Sequence, residues 1–171
     1  MQVAGRILLL FLVFCLHSSF VLNEKESTLA QTSLSWTSNT ITKIKQQVTS
    51  CNDFADANKD KDQANISFSK IEIEMKSLDK HISKGVKIAA KLIKLLDKRK
   101  VEMDKSTVSL IDDLYYYHRG QEDFYECQGH LEDAVELKDC HELYGLSSRM
   151  NKALWYIQQY KITLNKLLEL K

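Results

Sequence analysis

The segment DANKDKDQANIS, residues 56–67, carries oxygen-bearing side chains at every second position: Asp56, Asn58, Asp60 and Asp62. Side-chain oxygens so spaced could ligate calcium. An EF-hand loop needs glycine at its sixth position for the sharp turn and a bidentate glutamate at its twelfth. Counted from Asp56, those positions hold Lys61 and Ser67, and a lysine inside the loop repels the ion. The segment is expected to be a solvated connection between helices, made of residues that favour turns. It also contains the sequon Asn65-Ile66-Ser67, which makes Asn65 the expected glycosylation site of an exported chain.

A second group, Cys127, His130, Cys140 and His141, offers two thiolates and two imidazoles, the right atoms for tetrahedral zinc. The spacing is poor, because adjacent Cys140 and His141 would point about 100° apart on a helix. An oxidising compartment favours a disulfide over a metal, so no metal site is expected. Beyond the first 22 residues the cysteines are Cys51, Cys127 and Cys140, and one of three must stay odd. Cys51 could reach either partner from a helix end. The expected bridge is Cys127–Cys140, which requires the chain to break at Gly129 and double back. The odd cysteine would then be free to join two chains as a homodimer.

Catalytic patterns are missing. There is no Gly-x-Ser-x-Gly, no His-Glu-x-x-His and no glycine loop for phosphate. Neither an enzyme nor a cofactor is expected. The residues best suited to recognition lie in DDLYYYHRGQEDFYE, residues 112–126, which gathers Tyr115, Tyr116, Tyr117, Phe124 and Tyr125 among acids. Three consecutive tyrosines on a helix span about 200°, so at least one ring should face solvent. Tyrosine suits interfaces because it combines apolar area with a polar tip.

The elements that must position these residues are helices. The chain has no proline and five glycines. Apolar residues recur at steps of three and four through Ile44, Val48 and Cys51, through Ile71, Met75, Leu78 and Ile82, and through Met150, Leu154 and Ile157. The fold class is all-α: an antiparallel four-helix bundle, or a long helical hairpin with coiled-coil-like packing. The expected helices cover about 25–58, 67–99, 105–138 and 146–170, with a bend near 100–106. Ser69 to Glu72 has capping-box spacing, and Lys98-Arg99-Lys100 reads as a solvated helix end.

The first 22 residues read as a secretory signal peptide, and residues 23–171 as a single helical-bundle domain. Arg6 precedes an unbroken apolar run from Ile7 to Leu16, with small Ser18 and Ser19 after it. That run falls short of the ~20 residues a bilayer span needs. No stable membrane span is expected after cleavage. Removing Arg6 leaves equal numbers of basic and acidic residues, a balance that disfavours nucleic acid or an anionic membrane as the main partner.

LKDCHELYG, from Leu137 to Gly145, resembles the helix around a cysteine in the plant invertase and pectin methylesterase inhibitors. The resemblance implies a secreted four-helix bundle. That family's N-terminal cysteine pair, its later cysteine and its prolines are missing here, so no binding residue carries over. The expected function is extracellular binding of a protein or glycan, as an effector, inhibitor or ligand. Two alternatives are a self-assembling structural protein of a secretory granule or matrix, and a carrier of an apolar small ligand.

Overall fold

The computed structural model describes residues 20–61 and 65–170. Residues 1–19 of the expected signal peptide, 1–22, and Asp62 lie outside them. The described chain is an up-down-up-down helical bundle. Its helices are α1 (Glu24–Asn58), α2 (Ser69–Asp97), α3 (Lys105–Asp113), α4 (Tyr116–Leu137) and α5 (Glu142–Glu169), with a 3-10 turn at Lys100–Glu102. α1 packs between α2 and α5, α4 lies along α5, and α2 and α4 meet more loosely. Cross-helix bonds fix the antiparallel sense: Ser33 to Tyr160 and Asp56 to Tyr144 join α1 and α5, and Arg149 to Glu126 joins α5 and α4.

Every helix buries a stripe at steps of three and four. On α2 it runs through Ile71, Met75, Leu78, Ile82, Gly85, Ala89, Leu92 and Leu96, and on α5 through Leu143, Leu146, Met150, Ala153, Ile157, Tyr160, Leu164 and Leu167. Each fully buried leucine or isoleucine contributes ~1.5–3 kcal/mol of transfer free energy. The stripe of α1 is different. Its central line contains Ala30, Ser33, Thr37, Thr40, Ile44, Gln47 and Cys51, whereas Leu34, Ile41 and Val48 are only partly buried. The small residues make room for Tyr117 and Tyr160, both fully buried, whose rings meet edge-on at 5.0 Å.

Buried phenols need partners, and the hydroxyls of α1 supply them. Ser33 Oγ lies 2.6 Å from Tyr160 Oη. Thr40 Oγ1 donates to the Trp36 carbonyl, which leaves Tyr117 to donate to Thr40 at 3.1 Å.

The helix ends depart from expectation in four places. The Ser69–Glu72 box is not made, since Phe68 occupies the cap position without a side-chain bond. A complete capping box forms instead at Asn23 and Glu26. The third helix is interrupted at Leu114 and Tyr115, whose amides bond three residues back in a tightened turn. The last helix starts at Glu142, four residues earlier than expected, after left-handed Lys138 ends α4 and Asp139 accepts the His141 amide. The bend expected near 100–106 is present: Asp104 caps α3 by accepting from the Thr107 amide at 2.7 Å.

Candidate functional site

The expected recognition tyrosines divide between core and surface. Tyr117 and Phe124 are fully buried and belong to the core, because α4 turns that face onto α5. Tyr115 and Tyr125 are exposed. Tyr116 lies on the seam between α4 and α5, where it meets two residues sequence reading passed over: Trp155 edge-on at 6.2 Å and Tyr156 stacked at 6.0 Å. Trp155 and Tyr156 also touch edge-on at 4.9 Å. Trp155 remains 50% exposed. Half of a ring system that can bury up to ~250 Å² is thus left in water, ~3 kcal/mol of unused burial at ~25 cal/mol per Å². The adjacent pair Trp155-Tyr156 was the available signal, since consecutive aromatics on one helix cannot both face the core.

The Cys127–Cys140 bridge is not formed. α4 continues through Gly129 to Leu137, so about ten residues of helix, ~15 Å, follow Cys127 before the chain can turn. Cys51, Cys127 and Cys140 are free and buried. Cys51 accepts from Gln47 at 3.6 Å, and Cys127 donates to the Asp123 carbonyl at 3.4 Å. Burial pushes the Cys51 thiol up from 9.0 to about 11. Burial, with Asp123 adding to it, pushes Cys127 up to about 12.

These shifts set an alkaline limit. Unfolded thiols lose their protons near pH 9, while the buried ones hold them to pH 11 or 12. Below pH 9 both states are protonated and the stabilisation is complete. Above it the unfolded state binds fewer protons, so each thiol withdraws ~1.4 kcal/mol of stability per pH unit. Tyr117, raised by burial to about 12, joins in above its ordinary value of 10.0. The melting temperature should fall steeply between pH 9 and 11. The fall should be shallower in Cys127→Ala, measured against its own value at pH 7. Parallel curves for the two proteins would contradict the assignment.

The zinc set does not assemble. His141 is exposed against Tyr144. His130 is found with carboxylates instead: its Nδ1 lies 3.1 Å from Glu142 Oε2. Donor atoms of His130, Asp133 and Glu142 fall within 4.8 Å of one another. The His130 ring fits because Gly145 has no side chain; a Cβ there would lie 2.9 Å from Nδ1. That nitrogen is directed at Glu142, so the contact ties α4 to α5. Of the segment 56–67, Asp56 lies in the last turn of α1 and accepts from Tyr144 Oη at 2.7 Å, and Asn65, in the connection that follows, is exposed.

Overall neutrality conceals a strong separation of charge. Residues 69–100 hold ten lysines and arginines against four acids, whereas residues 116–137 hold six acids against one arginine. On α2 and just beyond its end, Lys80, Lys84, Lys87, Lys91, Lys94 and Lys98 are exposed and follow one another at steps of four and three. Like-charged neighbours at these steps each oppose a helix by a few tenths of a kcal/mol before salt screening. The Lys98-Arg99-Lys100 run is not simply solvated. Arg99 reaches the buried Glu26 at 2.6 Å, and Lys100 bonds Asp97 at 2.9 Å and Asp112 at 2.8 Å.

Among the described residues, no helix is long and apolar enough to cross a membrane. Comparison of the chain with known protein families, with curated proteins and with solved structures finds no match.

Proposed function

We propose that the chain is an exported, non-catalytic bundle that acts by binding another macromolecule through the aromatic ridge of Tyr116, Trp155 and Tyr156. The half-exposed Trp155, braced by two tyrosines, carries this reading. Packed rings lose little conformational freedom on contact, and tryptophan and tyrosine are enriched among residues that dominate binding. The core has no use for the exposed half of Trp155. Export rests on the apolar run of residues 7–16 and on the sequon, whose Asn65 is exposed.

The test is capture of partners from extracellular fluid by the protein beginning at Phe20, beside a Trp155→Ala variant. The fold should survive the substitution, with an unchanged helical spectrum and a melting temperature within a few degrees. A partner enriched by the parent chain should be lost, with affinity down by a factor of ten or more for a ~2 kcal/mol anchor. Equal capture by both proteins would remove the ridge from consideration.

A further inference from the structure

We propose that the lysine line on α2 is a binding surface for a linear sulfated polysaccharide. Lys80, Lys84, Lys87, Lys91, Lys94 and Lys98 occupy a sector of about 80° and extend over ~27 Å of helix. None of the six is in an ion pair among the described residues. The one acid a helical turn from Lys94, Asp97, is held by Lys100 at 2.9 Å. Between Lys80 and Lys98, every residue in that sector is a lysine. Beside the line runs a groove between α1 and α2 of about 660 Å³, lined by Leu29 and Leu95, with Lys25 and one acid, Glu24, on its α1 side against Lys91, Lys94 and Lys98 on α2 and just beyond its end. Cations from two helices therefore flank a trench in which a chain can lie.

The shape selects the polyanion. A row one lysine wide and straight matches a single chain with sulfates along its length. A nucleic acid duplex presents two phosphate strands that wind away from a straight row. A membrane surface calls for apolar anchors among the cations, and the lysine sector has none between Lys80 and Lys98; exposed Ile73 lies about two turns before the line begins. The choice of carbohydrate rests on the export reading above for its compartment. It does not rest on the aromatic ridge.

The experiment uses the chain beginning at Phe20 with heparin as the probe, at ~0.15 M salt where weak long-range attraction is screened. Heparin should retain the protein, with affinity falling as salt rises. The triple variant Lys87→Gln, Lys91→Gln, Lys94→Gln should bind at least tenfold more weakly, and its salt dependence should be shallower by about two to three released ions. Its helical spectrum and melting temperature should hold or improve, since like-charge neighbours are removed. A control triple, Lys105→Gln, Lys161→Gln, Lys166→Gln, removes the same charge elsewhere and should stay within about twofold of the parent. Failure to bind heparin, or equal weakening by both triples, overturns the proposal. So does equally tight binding of a DNA duplex or a phosphatidylserine vesicle. A chain shown not to be exported removes the compartment and the glycan with it, whereas an exported chain blind to heparin defeats this proposal alone.

Discussion

Replacing Gly85 by alanine should destabilise the bundle by about 2–3 kcal/mol, although it adds a single methyl group in mid-helix. Alanine is the better helix former by about 1 kcal/mol, so local propensity predicts the opposite sign. Packing decides the outcome. A Cβ at position 85 would collide with Tyr117 Oη, and it would lie 2.9 Å from Trp36 Cδ1. Neither neighbour can move aside. Tyr117 is fully buried, bonded to Thr40 and set against Tyr160, while Trp36 stacks on His81 at 4.2 Å and donates to its carbonyl. The helix has to shift, and α2 would lose contact with α1. Gly129, on α4, provides the comparison, because nothing lies within 4 Å of a Cβ there. Gly129→Ala should stabilise by ~0.5–1 kcal/mol. Denaturant titrations should therefore give opposite signs for the same substitution. Tyr117→Phe, which removes the colliding oxygen, should recover about half of the Gly85→Ala loss in the double variant. Parent-like stability of Gly85→Ala would disprove the clash.

Gly85 also shows where sequence reading stops. By type the apolar stripe of α2 passes through Val86, yet the helix buries Gly85 instead, and nothing nearby in sequence announces the ring it admits. Tyr117 lies 32 residues away on another helix. Helical periodicity was legible because it is local: the extents of α1 and α2 follow from apolar steps, and the bend before α3 follows from the basic run at the end of α2, whereas the Asp104 cap was not read. The identity of the buried line on α1 was not. Leu34, Ile41 and Val48 look like core by type, yet Ser33, Thr37 and Thr40 are buried because tyrosines on other helices need space and partners. The same limit applies to the surface. Three tyrosines in a row guarantee an exposed ring, but which one depends on how α4 rolls onto α5. The lysine line was written in the sequence, at steps of four and three. A net charge near zero conceals it, because charge summed over a chain carries no information about which helix face holds it.

Arg99→Met should cost about 2–3 kcal/mol, the second large effect expected from one substitution. Glu26 is 2% exposed, and its Oε2 is shared by the Arg99 guanidinium at 2.6 Å and the Asn23 amide at 2.9 Å. Methionine preserves much of the stem that covers this corner but withdraws the charge. Glu26 would then be a buried carboxylate with one amide donor. The loss stays below the 3–5 kcal/mol seen when a deeply buried pair is broken, because Arg99 is itself 28% exposed and Asn23 remains. Charge, rather than packing, should account for most of it. In the double variant Glu26→Gln, Arg99→Met, the neutral amide still accepts from Asn23 and needs no cation, so stability should return to within ~1 kcal/mol of the parent. The corner also depends on where the chain begins. Arg99 lies over the Phe20 ring at 4.6 Å and reaches the Val21 carbonyl at 3.4 Å, and Phe20 is 7% exposed. Trimming to Asn23 would strip this apolar cover and admit water to the pair. A chain starting at Asn23 should therefore be less stable than one starting at Phe20, and should lose less on Arg99→Met. An equal Arg99→Met loss in both chains would mean that residues 20–22 do not seal the pair.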